Sequence, residues 1–374
     1  MVYFDNAATG GFKPHSVTEA VTTVVKYLCA NPGRSGHRLS LVGAQTVYSC
    51  RDALSKEFGT TLERVIFTKN CTEALNVAIF GRLKDEDHVI TTIYEHNSVL
   101  RPLFHLHRQG KIRLTIVAPN EDGEILPQIE KAIAKDTKMI ITTSISNVNG
   151  EVLPVEEIGL LAKKYGIFYL VDGAQGGGHM RLKAKDGISA IALAGHKGLY
   201  GIMGSGALIL SNDFDISPII FGGTGSESFN PFQPDCYPEK LEAGTLNLPA
   251  IASLNEGVRY ASANLEHFGK QLFLRTQTLI ENLKSIDKIK CFSIPNQNGI
   301  VAFSLKNLSS EACAEILNSR YDVAVRGGFH CAPLMHRHLK TDTNGLIRAS
   351  IAVQNSSSEI NYFVSAIKEI ANGN

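Results

Sequence analysis

Two stretches of the chain each begin as a short apolar run and then break into glycine. They are LVDGAQGGG at 170–178 and AIALAGHKGLYGIMGSG at 190–206. An apolar run of this length that ends in glycines predicts a buried strand followed by a turn. The pattern places one carboxylate, Asp172, and one amine, Lys197, at the ends of two strands that we expect to be neighbours.

The residue types at these two strand ends suggest a specific chemistry. A lysine beside His196 and several glycines suits a cavity wall better than a core. Desolvation there is expected to lower the pKa of the Lys197 amine, so that it can form a Schiff base with a carbonyl compound. A buried Asp172 could hold a proton on a pyridine nitrogen, as the electron-sink ring of pyridoxal phosphate (PLP) requires. Taken alone, each residue also has an ordinary interpretation, as a solvated loop lysine and a turn aspartate.

Predicted strands and helices alternate along the first two thirds of the chain. The predicted strands are 65–67, 89–93, 114–117, 139–145 and 167–171. One predicted helix begins at Pro14, and three others cover 41–58, 125–134 and 155–165. This alternation is typical of a large, doubly wound, mainly parallel sheet that binds ligands at the carboxyl ends of its strands.

The pattern changes near residue 250. Two long helices are predicted at 251–269 and 270–283, followed by a strand at 299–305, a helix at 310–320 and a strand at 323–325. Short alternating elements of this kind favour a small α+β domain. We therefore predict an α/β protein whose large domain covers 13–250 and whose small domain combines 1–12 with 251–374.

Bulk composition excludes several classes of protein. The 374 residues are 44% hydrophobic and 20% charged, with a net charge of +1 and no basic tract, which argues against a nucleic-acid partner. No apolar run approaches the roughly 20 residues that span a bilayer, and the start of the chain does not resemble a signal peptide. Seven cysteines without framework spacing fit reduced thiols. A cytoplasmic protein without a membrane partner is expected.

The VDGAQ and GHKGLYG motifs resemble those of class V aminotransferase-like enzymes of PLP fold type I, and most closely the type II cysteine desulfurases and selenocysteine lyases. The likeness extends from Tyr3 to Asn355. It implies that PLP is the cofactor, attached to Lys197, with Asp172 on the ring nitrogen. It also implies that the imidazole of His96, in YEHNSV, stacks on the ring and can shuttle protons.

Further cofactor contacts follow from the resemblance. It implies that Gln175 bonds the ring's phenolic oxygen, that His196 and the Cys71–Thr72 segment of CTEALN bind the phosphate, and that Asn147 lies at the ring oxygen or the substrate carboxylate. A plain helix-capping threonine is the alternative for Thr72. One departure is Ala194, where the desulfurases often have serine, so that phosphate binding must depend more on the other groups.

A second loop points to a dimer. EAGTLN at 242–247 is similar to the family's EAGTPN segment, whose threonine reaches the partner subunit's phosphate. The resemblance therefore implies a homodimer in which Gly244 and Thr245 contribute to the neighbouring site.

The segment RGGFHCAPLMH carries the candidate nucleophile, Cys331. Arg326 and His330 lie close by in sequence, and nearby positive charge favours the thiolate form. Ordinary buried thiols are expected for most of the other cysteines, namely Cys29, Cys50, Cys71, Cys291 and Cys313, and Cys236 is left open.

A metal site built from this segment has little support. The possible ligands are His330, Cys331, His336 and His338, but their spacing matches no recognised zinc pattern, and we expect the His-x-His pair on a solvated segment. No metal is predicted. The segment instead resembles the RxGHHCA motif of type II desulfurases, although Phe329 replaces the first histidine.

Arg348, in LIRASIAVQN, is the expected bidentate clamp on the substrate carboxylate, a geometry that lysine would not reproduce. Ala8, Asn147 and Arg326 complete the expected substrate contacts. The resemblance implies conversion of L-cysteine to L-alanine with sulfur passed to Cys331 as a persulfide, an acceptor protein for that sulfur, and a place in iron–sulfur cluster assembly. A selenocysteine lyase, a class V aminotransferase and a non-catalytic scaffold remain the alternatives.

Overall fold

The structure is a computed structural model that describes residues 1–28, 30–33 and 35–373, so that Cys29 lies outside the described residues. Its strands are β1 (Val2–Tyr3), β2 (Val65–Thr68), β3 (Asp87–Thr92), β4 (Ile112–Val117), β5 (Thr137–Thr143), β6 (Phe168–Asp172), β7 (Ala190–Ala194), β8 (Gly206–Leu210), β9 (Ile289–Cys291), β10 (Ile300–Leu305), β11 (Val323–Ala324), β12 (Arg326–Gly328) and β13 (Leu346–Ser350). Its helices are α1 (His15–Tyr27), α2 (Arg38–Phe58), α3 (Cys71–Arg82), α4 (Asn97–Arg108), α5 (Leu126–Ala132), α6 (Val155–Tyr165), α7 (Leu248–Lys284), α8 (Ser310–Tyr321), α9 (Pro333–His338) and α10 (Ser357–Gly373).

A seven-stranded sheet in the order β2-β8-β7-β6-β5-β3-β4 forms the centre of the large part of the molecule. Only β8 runs antiparallel to its neighbours, which confirms the predicted mainly parallel, doubly wound sheet. Strands β6, β7 and β8 are buried along their whole length, which explains their continuous apolar sequences. One hydrophobic cluster, with Leu54 and Ile158, covers one face, and another, with Ala78 and Leu103, covers the other.

A smaller four-stranded antiparallel sheet, in the order β12-β13-β10-β9, forms a second centre. It has its own apolar core, in which Phe303, Leu317 and Phe363 are fully buried. Strand β1 pairs in parallel with β11 and brings Phe4 into the same core. The start of the chain therefore packs with residues more than 300 positions away.

The prediction of two helices between 251 and 283 is wrong, because α7 is one continuous helix of 37 residues. It begins where the Asn247 side chain accepts a hydrogen bond from the Ala250 N–H at 3.3 Å. No proline follows within the helix after its first turn, and Gly269, the expected break, is buried inside the helix. Its first half is buried in the large core and its last turns in the small core.

The remaining elements agree with the predictions to within a few residues, with some omissions. Sequence patterns did not predict β8, β9, β12, β13, α4, α9 or α10. Within the described ranges, no helix is both long enough and apolar enough to cross a membrane.

Candidate active site

Asp172 is the last residue of β6 and is almost completely buried. The Ala174 N–H donates to its Oδ1 at 2.9 Å, and the Cys71 thiol lies 3.4 Å from the same oxygen. Strands β6 and β7 are neighbours, with Asp172 paired to Ala192, as predicted from the two sequence stretches. Both hydrogen bonds that the described residues make to this carboxylate end on Oδ1, so Oδ2 remains available to a ligand.

Lys197 lies in the turn that follows β7. The Gly201 N–H donates to the Gly195 carbonyl at 2.8 Å, which closes the turn around the lysine. Gly198 is required here, because a Cβ at this position would lie 2.4 Å from the Gly177 carbonyl oxygen. Burial lowers the pKa of the Lys197 amine, and the charge of Asp172 acts in the opposite direction.

The start of α3 forms a candidate anion site. Asn70, rather than Thr72, caps this helix, since its side chain accepts from the Glu73 N–H at 2.9 Å. The alternative of Thr72 as a capping residue is therefore wrong, and its side chain is exposed. The N–H groups of Cys71 and Thr72 belong to the first helical turn, where they and the helix dipole favour a negative group.

His96 is the N-cap residue of α4. The charged groups that affect its pKa, such as Asp172 and Arg326, also affect the pKa of Lys197. The His96 Nδ1 accepts from the Ser98 N–H at 3.0 Å. Burial lowers the pKa of His96 to about 4; nearby Asp172 raises it, whereas Lys197 and Arg326 lower it further. The imidazole is therefore neutral at pH 7, a flat ring suited to stacking on another ring.

Cys331 lies on a short loop that is hydrogen-bonded to two other segments of the chain. His330 and Cys331 both have left-handed backbone conformations, with φ of 49° and 56°. The Asn97 N–H donates to the Cys331 carbonyl at 2.7 Å, and the Asn147 side-chain amide donates to the His330 carbonyl at 2.7 Å. The Cys331 residue itself is exposed.

The expectation of a solvated His-x-His pair is wrong for His336, which is fully buried, whereas His338 is exposed. His330 stacks on His336 with ring centroids 5.6 Å apart, and Thr341 bonds the far side of His336 at 2.8 Å. The aromatic ring of Phe329 contacts His336 edge-on and packs against this pair. Burial lowers the pKa of both histidines, so the pair supports the loop as neutral rings.

Arg348, on β13, is buried and held by two groups. It donates to the Asn147 carbonyl at 2.8 Å and to Asp5 Oδ1 at 3.0 Å, while its Nε is buried without a partner. Arg326, on β12, is its cross-strand neighbour and is exposed. A guanidinium with an unpaired buried N–H is suited to bind a carboxylate.

The N-terminal arm, which includes Ala7 and Thr9, contacts Gln175 and His196. The Gln175 side chain donates to the Ala7 carbonyl at 2.9 Å, and His196 Nδ1 is 3.1 Å from the Thr9 hydroxyl. Burial lowers the pKa of His196 to about 4. The arm thus brings Ala8 beside the site, while Ala194 is buried at the end of β7.

Gly244 and Thr245 are not brought to Lys197 within the chain. They are exposed and line a cleft with Lys69 and Glu73, beside the start of α3. Their loop is anchored by Glu242, which pairs with Arg51 at 2.5 Å and accepts the Phe67 N–H at 2.5 Å.

Three polar residues near the site were missed by sequence reasoning, namely Asp5, Lys13 and Glu95. Asp5 pairs with Arg348, the Lys13 amine donates to the His196 carbonyl at 3.2 Å, and Glu95 is a buried carboxyl group beside Thr92. Glu95 lies within the YEHNSV motif and Asp5 and Lys13 near the start of the chain, but the local sequence does not indicate which distant groups they contact.

The other cysteines mostly behave as expected. Cys50, Cys71 and Cys313 are buried, Cys291 is half-buried and Cys236 is exposed. Across residues 1–28, 30–33 and 35–373, no group of three or more His, Cys, Asp or Glu side chains is arranged to hold a metal ion.

The donor set fits PLP. It combines a buried amine, a carboxylate with one available oxygen, a neutral imidazole, a helix start suited to phosphate and a buried guanidinium N–H without a partner. These groups match the aldehyde, ring nitrogen, ring face, phosphate and substrate carboxylate that a PLP enzyme must bind.

Comparisons with known proteins agree with this arrangement. The profile of the family "Aminotransferase class-V" matches residues 2–363. Two relatives are probable cysteine desulfurases, from Methanothermobacter thermautotrophicus at 33% identity and Pyrococcus abyssi at 32%, each over 99% of this chain and 94% of the relative. The apo structure of a cysteine desulfurase from Thermococcus onnurineus superimposes with a TM-score of 0.92 at 31% identity, over 100% of this chain and 95% of that chain. The chain is a member of the class V aminotransferase family.

Proposed function

We propose that the protein is a PLP-dependent cysteine desulfurase that converts L-cysteine to L-alanine and retains the sulfur on Cys331. The observation that carries this proposal is the attachment of the Cys331 loop to the site. The Asn97–Cys331 and Asn147–His330 hydrogen bonds hold the cysteine loop against the residue that follows His96 and against Asn147, whose carbonyl accepts from Arg348. The probable cysteine desulfurases among its relatives support the same activity.

Each residue proposed to hold the cofactor would bind one of its functional groups. Lys197 would carry it, Asp172 would bond the ring nitrogen, His96 would cover one ring face, and Thr72 with the N–H of Cys71 would bind the phosphate. His196, Gln175 and Asn147 complete this proposed set. When bound, PLP supplies the electron sink that stabilises negative charge on the substrate α-carbon.

The proposed substrate contacts fix the amino acid for reaction. Arg348 would bind the carboxylate through its unpaired Nε and remaining N–H groups, with Asn147, Ala8 and Arg326 around it. Lys197 would remove the α-proton, because burial lowers the pKa of its amine and so favours the neutral form that acts as a base.

The sulfur step belongs to Cys331. Its thiolate attacks the substrate sulfur, an S–S bond forms, and the bond from sulfur to the substrate β-carbon breaks with its electron pair left on carbon. Protonation of that carbon gives alanine, and the enzyme retains a persulfide. Because Cys331 is exposed, a thiol of a second molecule, such as a sulfur-acceptor protein, could remove the sulfur.

We also propose the remaining features of the assembly. The protein would be a homodimer, supported by exposed Gly244 and Thr245 and by exposed Phe221, Phe229 and Phe232 on the preceding loop. A large and a small domain are proposed, as the two separate cores support, although the predicted boundary at 250/251 falls inside α7, where Ile251 and Val258 still pack in the large core. A cytoplasmic location and a role in iron–sulfur cluster assembly would accompany this activity.

The test is product analysis after the PLP-loaded protein is incubated with L-cysteine and dithiothreitol. Cys331→Ala is compared with Cys236→Ala, which removes the other cysteine that is exposed among the described residues. Equal amounts of alanine and sulfide, lost in Cys331→Ala and retained in Cys236→Ala, are expected. Persistence of both products in Cys331→Ala would favour lyase chemistry of the selenocysteine kind. A keto acid formed with an amino acceptor, and no alanine, would indicate an aminotransferase.

A further inference from the structure

Cys71 lies directly beneath the carboxylate of Asp172. It is the first residue of α3 and is only 7% exposed. Its Sγ is 3.4 Å from Asp172 Oδ1 and 3.4 Å from the Ala192 carbonyl oxygen. The proposed reaction uses the backbone of this residue at the phosphate, but leaves its side chain without a role.

The thiol carries its proton. Burial and the adjacent negative charge of Asp172 raise the pKa of Cys71 well above its usual value, against the smaller opposing effect of Lys197. One S–H proton faces two acceptors, and the charged carboxylate is the stronger one. The thiol therefore donates to Oδ1 of Asp172.

The thiol is then the second hydrogen-bond donor to Oδ1 of Asp172. Oδ1 receives the Ala174 N–H at 2.9 Å from one direction and the thiol from another. Two donors on the same oxygen restrict the rotation of the carboxyl group and leave Oδ2 without a donor among the described residues.

We propose that Cys71 is a positioning residue for Asp172, and that its thiol holds Oδ1 so that Oδ2 is presented to the ring nitrogen of the cofactor. This inference rests on the proposed function, because it assumes that PLP binds with its ring nitrogen on Asp172. Loss of the thiol would leave Asp172 with one donor and a less well-defined orientation.

The experiment titrates the cofactor-free protein with PLP and follows the visible absorption of the bound cofactor. Cys71→Ala should raise the dissociation constant of PLP roughly three- to tenfold, as expected for the net loss of one hydrogen bond from a weak thiol donor. Cys71→Ser, which keeps a donor, should restore most of the affinity. Cys50→Ala is the matched control, since it also truncates a fully buried thiol in the large core but has no contact with Asp172.

Thermal unfolding of the same variants separates positioning from packing. Both alanine variants should lose stability, but only Cys71→Ala should lose cofactor affinity. Cys71→Val, which fills the space without a donor, tests the same loss if the alanine variant folds poorly, and should bind PLP as weakly as Cys71→Ala.

A double-mutant comparison gives the deciding result. In an Asp172→Asn background, Cys71→Ala should change the PLP dissociation constant by less than about twofold, because the charged acceptor is gone. An equal loss in both backgrounds, or wild-type affinity in Cys71→Ala, would overturn the inference while leaving the proposed function intact. A wild-type protein that binds no PLP would overturn both.

Discussion

For two residues beside the site, the contact of Asp5 and the burial of Glu95 could not be predicted from the sequence. Asp172 and Lys197 could be predicted, because an apolar run ending in glycine specifies a strand end. Asp5 could not, because its partner Arg348 is 343 positions away and the contact depends on how β1 and β13 are assembled. Glu95 could not either, because its burial depends on the packing of β3 against β5.

Replacement of Arg348 by lysine tests the carboxylate clamp. Lysine keeps the charge but loses the planar fork that bonds Asp5 and Asn147 and that is proposed to bind the substrate carboxylate. We expect KM for L-cysteine to rise about 10- to 100-fold, with a smaller change in kcat. Steady-state kinetics measure this, and Arg320→Lys, on the exposed face of α8, is the matched control. An unchanged KM would remove Arg348 from substrate binding.

Glu95 predicts a pH dependence of stability. Burial raises its pKa from 4.5 to about 8, partly offset by the Thr92 hydroxyl, and its Oε2 is buried without a partner. The folded protein therefore keeps this proton longer than the unfolded chain. The resulting stabilisation is fully present below pH 4.5 and is lost as the pH rises to about 8.

Urea unfolding of the wild type and of Glu95→Gln between pH 5 and 9 tests this dependence. The amide cannot ionise, so the free energy of unfolding of the wild type should fall relative to the variant by on the order of 3–5 kcal/mol. Glu121→Gln, at an exposed position, is the matched control. A constant difference for Glu95→Gln would show that this carboxyl ionises normally.

At the scale of elements, sequence periodicity predicted the strands and helices of the large sheet because each is buried on a regular face. It failed at α7, where Gly269 suggested a break but lies buried within one continuous helix. It also did not predict β12, since only three residues, two of them glycines, form this strand. This strand is stabilised by its pairing with β13 and not by its own composition.

One glycine of α7 controls how closely this helix approaches the lysine turn. A Cβ at Gly257 would lie 2.1 Å from the Leu199 carbonyl oxygen, whereas one at Gly269, in the same helix, would meet nothing closer than 3.4 Å. Gly257→Ala should therefore lose about 1–3 kcal/mol of unfolding free energy through overpacking. Gly269→Ala should be neutral or slightly stabilising, because alanine favours helix. Urea denaturation measures both, and equal effects would contradict this account of the contact.

At the scale of the whole molecule, the proposed dimer can be tested by mixing inactive subunits. Each site would use Lys197 of one chain and Thr245 of its partner. Refolding Lys197→Ala together with Thr245→Val would create mixed dimers with one complete site, and we expect about a quarter of wild-type activity when subunits pair at random. Activity no higher than the mean of the separately refolded variants would place Thr245 outside the partner's site.

The continuous helix α7 has a thermodynamic consequence. Because its first half lies in the core of the large sheet and its last turns in the core of the small one, neither core can lose its packing without exposing part of the same helix. The two halves of the molecule should therefore unfold together, in one cooperative transition rather than two. A protein with two cores would in this way denature as though it had one.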